Sequence, residues 1–345
     1  MDNQNPDQTA GRKLPPIRRR ATTVSAEGLI RRSYLQPDQR LPLVIQPAVE
    51  GLDIVAWGMN HRSLIDSQLL EHGGILFRGF AIPSVAVFEQ FIVAVAGSLL
   101  EYSYRSTPRS QVSGRIYTST EYPADQSIPL HNEMAYTRSW PMKIAFCCLI
   151  PAREGGATPI ADSRSIFKRI DSRIRERFAE KQVLYVRNYS TGMDLSWQEV
   201  FQTDDKAEVE AYCRRVGIAF EWKGDDWLRT KQVCQAVATH SVTGEAVWFN
   251  QAHLFHVSSL PPEVRDVLLA TFAEPDLPRN TYYGDGTPIE SEVLETIRAS
   301  YAQEMISFDW QEGDILLLDN MLVAHGRAPY VGPRKVVVGM AEPNG

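Results

Sequence analysis

Near its C-terminal end the chain reads DILLLDNMLVAHGRAPYVGPRKVVVGM, residues 314–340. Residues 314–318 and 335–340 are apolar runs rich in branched side chains, and such runs predict buried strands. The residues between them contain glycine, proline and polar side chains, and we interpret them as a connection that carries His325 and Arg334. The stretch therefore predicts a sheet with polar, chemically active side chains next to the ends of its strands.

The same kinds of pattern recur along the chain. Strands are predicted at residues 75–77, 143–150, 232–240 and 245–249, and helices at residues 84–95 and 165–178. Strands dominate both ends and helices are inserted between them, which predicts an α+β fold, mainly β, with a sandwich or barrel core. The sequence contains no internal repeat.

Composition excludes several classes of protein. Of 345 residues, 43% are hydrophobic and 23% charged, which is ordinary for a globular protein and excludes a disordered or fibrous chain. The net charge of −6, from 36 basic and 42 acidic residues, argues against a nucleic-acid partner. No apolar run approaches the roughly 20 residues that cross a bilayer, so we expect no membrane partner. Four cysteines without a C-x-x-C pair favour a reducing, cytoplasmic location.

The N-terminal residues differ from the rest of the chain. Residues 1–25 are polar and basic, with the cations Arg12, Lys13, Arg18, Arg19 and Arg20. Such a segment is typical of a solvated, disordered tail, and an arm that docks on a partner is the alternative. We therefore predict a tail over residues 1–25 and a single domain over residues 26–345.

The segment Pro129-Leu-His131-Asn-Glu133 contains the first candidate site. In extended chain, side chains at positions i and i+2 point to the same face, so His131 and Glu133 can converge on one ion. His325 is the best third ligand, because it follows the apolar strand at residues 314–318. Two histidines and one carboxylate form a facial triad that leaves three metal positions open, as in non-haem Fe(II) oxygenases.

Two further residues strengthen this interpretation. Thr158, in Gly155-Gly156-Ala157-Thr158, could donate its hydroxyl to a carboxylate, or it could be an ordinary turn threonine. Arg334 opens the last predicted strand. If buried, it can form a bidentate pair with the far carboxylate of a dicarboxylic co-substrate, and otherwise it is a surface arginine.

Taken together, these motifs resemble those of the TauD/TfdA family of Fe(II)- and 2-oxoglutarate-dependent dioxygenases, and most closely its SyrP-like branch. The likeness covers roughly residues 70–342 and is carried by residues 117–136, 155–158, 247–251, 254–256 and 325–335. It implies a double-stranded β-helix, a distorted jelly roll, with helical insertions. It also implies that His131, Glu133 and His325 bind Fe(II), and that Thr158 and Arg334 bind 2-oxoglutarate. O2 would be the second co-substrate.

The sequence departs from the family at one position and leaves one choice open. Many members have a second arginine four residues after the first, where this chain has Val338, which argues against a taurine-like sulfonate. Lys335 stands beside Arg334, and a shift of one residue would exchange their roles. Glu133 occupies the carboxylate position, which argues against halogenation.

The substrate pocket gives weaker signals. Arg105 lies with Arg109 in a loop before the metal motif and could bind a substrate carboxylate or remain solvated. Asn250 follows an apolar strand and could offer its amide to the mouth of the barrel. Tyr117 could face the substrate or simply pack in the wall. His253 and His256 could form a second metal pair or serve as structural histidines.

The resemblance implies hydroxylation of an aliphatic C–H bond of a free or carrier-tethered amino acid, or a related small acid, in specialised metabolism. Succinate and CO2 would be released. The same iron site could instead support desaturation, cyclisation or oxidative cleavage. A non-catalytic cupin-like binding protein and a zinc hydrolase are alternatives of other classes, and neither gives Arg334 a role.

Overall fold

A computed structural model describes residues 26–344 except residues 103, 105, 108, 121, 190–193 and 225. The predicted tail, residues 1–25, and Arg105 lie outside the described residues. The division of the chain into a tail and a single domain therefore stays a prediction. Within the described residues, no helix is both long and apolar enough to cross a membrane.

The described residues form short strands and helices in alternating groups. The strands are β1 (Ile30–Gln36), β2 (Gln39–Pro47), β3 (Gly74–Phe77), β4 (Gln111–Ser113), β5 (Ile116–Thr118), β6 (Ile128–His131), β7 (Pro141–Ile150), β8 (Glu154–Gly155), β9 (Ile160–Asp162), β10 (Val183–Tyr189), β11 (Ala219–Lys223), β12 (Trp227–Cys234), β13 (Val237–Thr239), β14 (Ala246–Trp248), β15 (Arg279–Tyr283), β16 (Ile315–Asp319), β17 (Val323–Arg327), β18 (Tyr330–Val331) and β19 (Lys335–Pro343). The α-helices are α1 (Ile54–Asn60), α2 (Arg62–His72), α3 (Val85–Ala96), α4 (Ser163–Arg169), α5 (Ser172–Lys181), α6 (Trp197–Phe201), α7 (Lys206–Val216), α8 (Ala252–Phe255), α9 (Pro262–Thr271) and α10 (Ser291–Glu304). Short 3-10 turns lie at Ala26–Leu29, Val257–Ser259 and Glu274–Asp276.

Two sheets make the core that was predicted as a jelly roll. The larger has the order β1-β2-β3-β16-β7-β19-β5-β4, and the smaller has the order β6-β17-β9. All pairs in these sheets are antiparallel except β2 with β3. Side chains from both sheets share one hydrophobic cluster, which places the sheets face to face. This arrangement confirms the predicted fold class.

Strand β7 shows why the central strands are continuously apolar in sequence. Ile144, Phe146 and Cys148 pack into the cluster between the two sheets. Ala145 and Cys147 point the other way, into the cluster that the large sheet shares with α1, α2 and α3. A strand covered on both faces loses the alternation of polar and apolar residues that marks a half-exposed strand.

A long insertion between β9 and β16 covers the outer face of the small sheet. Leu130, Ala161 and Ala324, from the three strands of that sheet, pack into the hydrophobic cluster of the insertion. The predicted helical insertions are present. They are accompanied by a four-stranded sheet, β11-β12-β10-β15, and by the β13-β14 pair.

Three local predictions were wrong. The single helix predicted over residues 165–178 is two helices, because Ile170 is extended and Asp171 caps the second helix by accepting from Arg173 N. The strand predicted over residues 232–240 is divided between β12 and β13. The stretch between the strands predicted at residues 314–318 and 335–340 is not a plain connection, because it contains β17 and β18. Both strands pair with strands that are distant in the chain, so their sequences show little of the local pattern that predicts a strand.

Candidate metal centre

The two histidines of the predicted site lie opposite each other on neighbouring strands. His131 is the last residue of β6 and pairs directly with His325 of β17. Their ring centroids are 4.6 Å apart. Gly326 allows this approach, because a Cβ built there would lie 2.6 Å from the carbonyl oxygen of Ile128. A larger residue would push β6 away from β17.

Glu133 reaches the site by a turn and not by continued strand. β6 ends at His131, and the chain turns through Glu133 and Met134, which has a left-handed φ of 58°. The strand therefore ends before Glu133, and the side chains of His131 and Glu133 converge as their spacing predicts. The side chain of Asn320 fixes this turn: its Oδ1 accepts from Glu133 N (2.7 Å), and its Nδ2 donates to Glu133 O (2.9 Å) and Pro141 O (2.8 Å).

The three side chains form a set of donors that suits one divalent ion. One ligand atom from each of His131, Glu133 and His325 lies within 4.8 Å of the other two, and within the described residues this is the only such group of three or more His, Cys, Asp or Glu ligands. His325 Nε2 is 3.9 Å from Glu133 Oε2. The Nδ1 of His131 lies 2.8 Å from the carbonyl oxygen of Pro129 and donates to it, which leaves Nε2 as an acceptor for a metal. Two imidazoles and a carboxylate fit Fe(II).

Burial keeps both imidazoles in the form that binds a metal. Desolvation lowers the pKa of His131, although Glu133 opposes the shift. Desolvation, together with His131 and Arg109, lowers the pKa of His325 well below its ordinary value. Neutral imidazoles need release no proton when a cation binds.

Arg109 contributes a cation to this centre. Its Nη2 donates to Glu133 Oε2 at 2.6 Å, and both side chains are buried. The guanidinium also lies over the ring of Tyr102, 4.7 Å from its centroid. Arg109 comes from the loop that precedes the metal motif, so this ion pair joins that loop to the proposed ligand.

A cavity lies beside the two histidines, between the sheets, and is partly open to solvent. Its lining combines cations, hydroxyls and apolar side chains: Arg109, Ser119, Thr120, Ile128, His131, Phe146, Thr158, His325, Gly326, Arg327, Arg334 and Val336. The predicted residues Thr158 and Arg334 are thus brought into the same cavity as His131 and His325.

Arg334, and not Lys335, lines the cavity. Its Nε donates to Gly156 O (2.9 Å), its Nη1 donates to Ser119 Oγ (3.3 Å), and its guanidinium lies over the ring of Tyr330. Burial and the neighbouring Arg327 lower the pKa of Arg334 to about 10, so the side chain stays cationic at neutral pH. Lys335 is exposed. An anionic ligand would relieve the cost of keeping this charge half-buried.

The other predicted site residues lie elsewhere. Tyr117 packs in the core, with its ring 6.1 Å from that of Tyr102, and is not among the described residues that line the cavity. Asn250 is not among the described residues that line the cavity either. Its side-chain amide donates to Ala236 O (2.8 Å) and accepts from Ala252 N (3.0 Å).

The histidines considered as a second metal pair have separate partners. His253 donates from Nε2 to Leu130 O at 3.1 Å, whereas His256 accepts from Ser258 N at Nδ1. Neither joins a group of ligands among the described residues. These separate hydrogen bonds favour the alternative that both are structural histidines.

The sequence did not single out Asn320, Trp310 or Ser119. Each acts through a partner that is distant in the chain, so no local spacing reveals it. Arg109 was visible only as one of two loop arginines, and the loop offers no periodicity by which to choose between them. The structure shows Arg109 buried above Tyr102 and paired with Glu133, whereas Arg105 lies outside the described residues.

Comparison with known proteins agrees with this site. Residues 36–340 match the family described as taurine catabolism dioxygenase TauD, TfdA family. The chain is 44% identical over 279 residues to the dapdiamide synthesis protein DdaC of Enterobacter agglomerans, covering 81% of this chain and 85% of that protein. It is 30% identical over 324 residues to a clavaminate synthase-like protein of Arabidopsis thaliana, covering 87% and 93%.

Among solved structures the chain resembles PvcB of Pseudomonas aeruginosa, with a TM-score of 0.55, 15% identity and coverage of 94% of this chain and 95% of that one. PvcB is described as an Fe, alpha-ketoglutarate dependent oxygenase from an isonitrile synthetic pathway. At this identity the likeness concerns the fold. The family match and the curated relatives carry the assignment: the chain belongs to the TauD/TfdA family of dioxygenases, which use Fe(II), 2-oxoglutarate and O2.

Proposed function

We propose that this dioxygenase hydroxylates an aliphatic C–H bond of an amino acid or related small acid in specialised metabolism. The substrate would be free or attached to a carrier protein. One observation carries the proposal: His131 and His325, with Glu133 beside them, lie at a cavity that also contains Thr158 and Arg334. The 44% identity to a dapdiamide synthesis protein supports the type of pathway.

The proposed reaction is balanced as 2-oxoglutarate + O2 + R–H → succinate + CO2 + R–OH. Fe(II), when bound by His131, Glu133 and His325, supplies the activation of O2 that couples decarboxylation to substrate oxidation. Thr158 and Arg334 are proposed to bind the distal carboxylate of 2-oxoglutarate, because both line the cavity and both can donate; Thr158 is buried and Arg334 is half-buried.

The walls of the cavity support chemistry away from bulk water. Ile128, Phe146 and Val336 provide apolar surface next to the polar groups. Arg327, at the same wall, donates to the carbonyl oxygens of Tyr122 (2.9 Å), Pro123 (2.5 Å) and Gln126 (2.7 Å), and so holds the segment before β6 in place. We propose that this fixed segment keeps the co-substrate end of the cavity closed.

We also propose a cytoplasmic setting. All four cysteines are free and buried in the core, as expected for a protein that folds in a reducing compartment.

Succinate release tests the proposal. The purified protein is supplied with Fe(II), 2-oxoglutarate and O2, and with a panel of free and carrier-loaded amino acids. We expect one class of amino acid to stimulate succinate formation and to gain one oxygen atom in the product. His131→Ala should abolish the stimulation, whereas His253→Gln, a change at a buried histidine outside the triad, should retain it.

Product mass separates the possible outcomes. A product lacking two hydrogens, or one that has lost carbon, would replace hydroxylation with desaturation, cyclisation or cleavage. Succinate release that no amino acid stimulates, free or carrier-bound, would contradict the proposed substrate class.

A further inference from the structure

We propose that Trp310 is a positioning residue that turns the hydroxyl of Thr158 into a hydrogen-bond donor toward the cavity. The co-substrate end of the site would thereby select a carboxylate over a neutral group. The inference rests on the proposed assignment of Thr158 and Arg334 to 2-oxoglutarate. It adds Trp310, a residue outside the cavity lining, as the group that sets the direction of the Thr158 hydroxyl proton.

The contact itself is short and buried. Trp310 Nε1 lies 3.0 Å from Thr158 Oγ1, and the relative exposures of the two residues are 8% and 3%. The indole packs against Phe308, with ring centroids 5.2 Å apart, in the cluster between the two sheets. Thr158 lines the cavity. The indole therefore approaches the hydroxyl from the core side.

The chain on both sides of Trp310 is held in place. Arg78 donates from Nη2 to the carbonyl oxygen of Asp309 at 2.8 Å and forms a buried ion pair with Asp314 at 2.6 Å. Asp314 in turn accepts from the backbone N–H of Gln311 at 2.8 Å. Because both neighbours of Trp310 are fixed, the indole N–H has a defined direction.

The direction of the threonine proton follows from donor and acceptor chemistry. An indole N–H only donates, whereas a threonine hydroxyl has one proton and two lone pairs. Since Trp310 occupies a lone pair of Thr158, the hydroxyl proton must point elsewhere. Within the described residues Thr158 Oγ1 donates to no protein acceptor. A carboxylate oxygen in the cavity would accept that proton.

Arg334 makes the selection stronger. Its guanidinium donates only, so the two polar groups assigned to this end of the cavity both present donors. An ionised carboxylate has only acceptors and satisfies both. A carboxamide has a single acceptor oxygen and no charge, so it would either share that oxygen between the two donors or turn its N–H toward one of them.

Ligand binding tests this without relying on turnover. The probes are 2-oxoglutarate and 2-oxopentanoate, which has the same chain length but no distal carboxylate, titrated calorimetrically into the Mn(II)-loaded protein. The variants are Trp310→Phe, Thr158→Val and the double variant. Trp57→Phe is the matched control, because Trp57 is a buried tryptophan whose indole N–H has no partner among the described residues.

We expect Trp310→Phe to weaken 2-oxoglutarate binding about three- to tenfold, the loss expected for one oriented hydrogen bond. Thr158→Val should weaken it at least as much, and adding Trp310→Phe to Thr158→Val should cause no further loss. Binding of 2-oxopentanoate should be unchanged in all variants, and Trp57→Phe should leave both affinities unchanged.

Other results would overturn the inference. An equal loss for both ligands, additive losses in the double variant, or wild-type affinity in Trp310→Phe would each show that Trp310 only fills space. If the wild-type Mn(II) protein binds no 2-oxoglutarate, the co-substrate assignment itself fails, and this result is distinct from the three above.

Discussion

Arg109 donates a 2.6 Å hydrogen bond to Oε2 of Glu133, and the side chains of the two residues are only 4% and 3% exposed. The carboxylate proposed as a metal ligand is therefore paired with a buried cation that belongs to a different part of the chain. A divalent ion bound by Glu133 would bring a second positive charge to the same carboxylate. Metal binding and the Arg109 ion pair should consequently be energetically linked.

Replacing Arg109 should make the fold depend on metal. Arg109→Met leaves Glu133 buried without its cation, and breaking a buried pair in this way costs about 3–5 kcal/mol. A metal ion would supply the missing positive charge. We expect a lower melting temperature for the metal-free variant and a larger increase on adding Mn(II) than in the wild type, measured by thermal unfolding.

Two comparisons make this prediction specific. Arg115→Met removes another arginine from the same segment, but its ionic partner Glu101 is exposed, so no buried carboxylate is left unpaired and the Mn(II)-induced shift should equal that of the wild type. Adding Glu133→Gln to Arg109→Met removes the unpaired charge and should recover part of the lost stability. An equal Mn(II)-induced shift in Arg109→Met and in the wild type would contradict the linkage.

Asn320 should matter for the metal beyond its effect on stability. Asn320→Ala leaves the backbone groups of Glu133 and the carbonyl of Pro141 without their side-chain partner, at about 1–3 kcal/mol for each buried group left unsatisfied. The turn that presents Glu133 should then lose its fixed geometry. We expect Mn(II) affinity, measured by titration of the folded protein, to fall about 10- to 100-fold, as for other residues that orient metal ligands.

Asn250→Ala is the matched control for Asn320. Asn250 is also fully buried and its side chain also bonds to backbone groups, two against the three of Asn320, but these belong to Ala236 and Ala252. It should destabilise the fold without changing Mn(II) affinity. Equal losses of metal affinity in the two variants would show that the effect of Asn320 is only general destabilisation.

Much of the fold could be predicted from the sequence because strong local signals coincide with the structure. The apolar runs of β7 and β16 identify buried strands, and Ser84 caps α3 by accepting from Val87 N, as its position suggests. β17 was missed because His325, Gly326 and Arg327 give no apolar alternation. Its strand character comes from pairing with β6 and β9, which lie more than a hundred residues away.

The candidate site was likewise predicted only in part from the sequence. Motif spacing indicated His131, Glu133 and His325, and the structure brings their ligand atoms together. The supporting residues could not be found by spacing, because Asn320 meets Glu133 across 187 positions and Trp310 meets Thr158 across 152. Whether a polar side chain supports a site depends on which partner it meets in the folded protein.

Arg334 and Lys335 offer a direct test between neighbouring cations. Arg334→Gln should weaken 2-oxoglutarate binding to the Mn(II) protein by about tenfold or more, because a charge-assisted hydrogen bond in a buried site contributes about 1.5–3 kcal/mol. Lys335→Gln should change the affinity little, since Lys335 is exposed. Calorimetric titration measures both, and the reverse order would move the carboxylate site to Lys335.

His253 should make the protein less stable in acid. Burial lowers the pKa of His253 to about 3, from an ordinary value of 6.5, so the folded protein keeps this imidazole neutral while the unfolded chain takes up a proton below pH 6.5. The unfolded state then binds more protons, and the free energy of unfolding falls as the pH decreases from about 6.5 toward 3. His253→Gln can still donate to Leu130 O but cannot titrate. Near pH 5 the unfolding free energy of this variant should therefore fall less steeply with decreasing pH than that of the wild type, by about 1.4 kcal/mol per pH unit.

Urea unfolding from pH 4.5 to 8 measures the difference. The two curves should run parallel near pH 8, where the histidine is neutral in both states. Parallel curves over the whole range would mean that His253 is not kept neutral by burial.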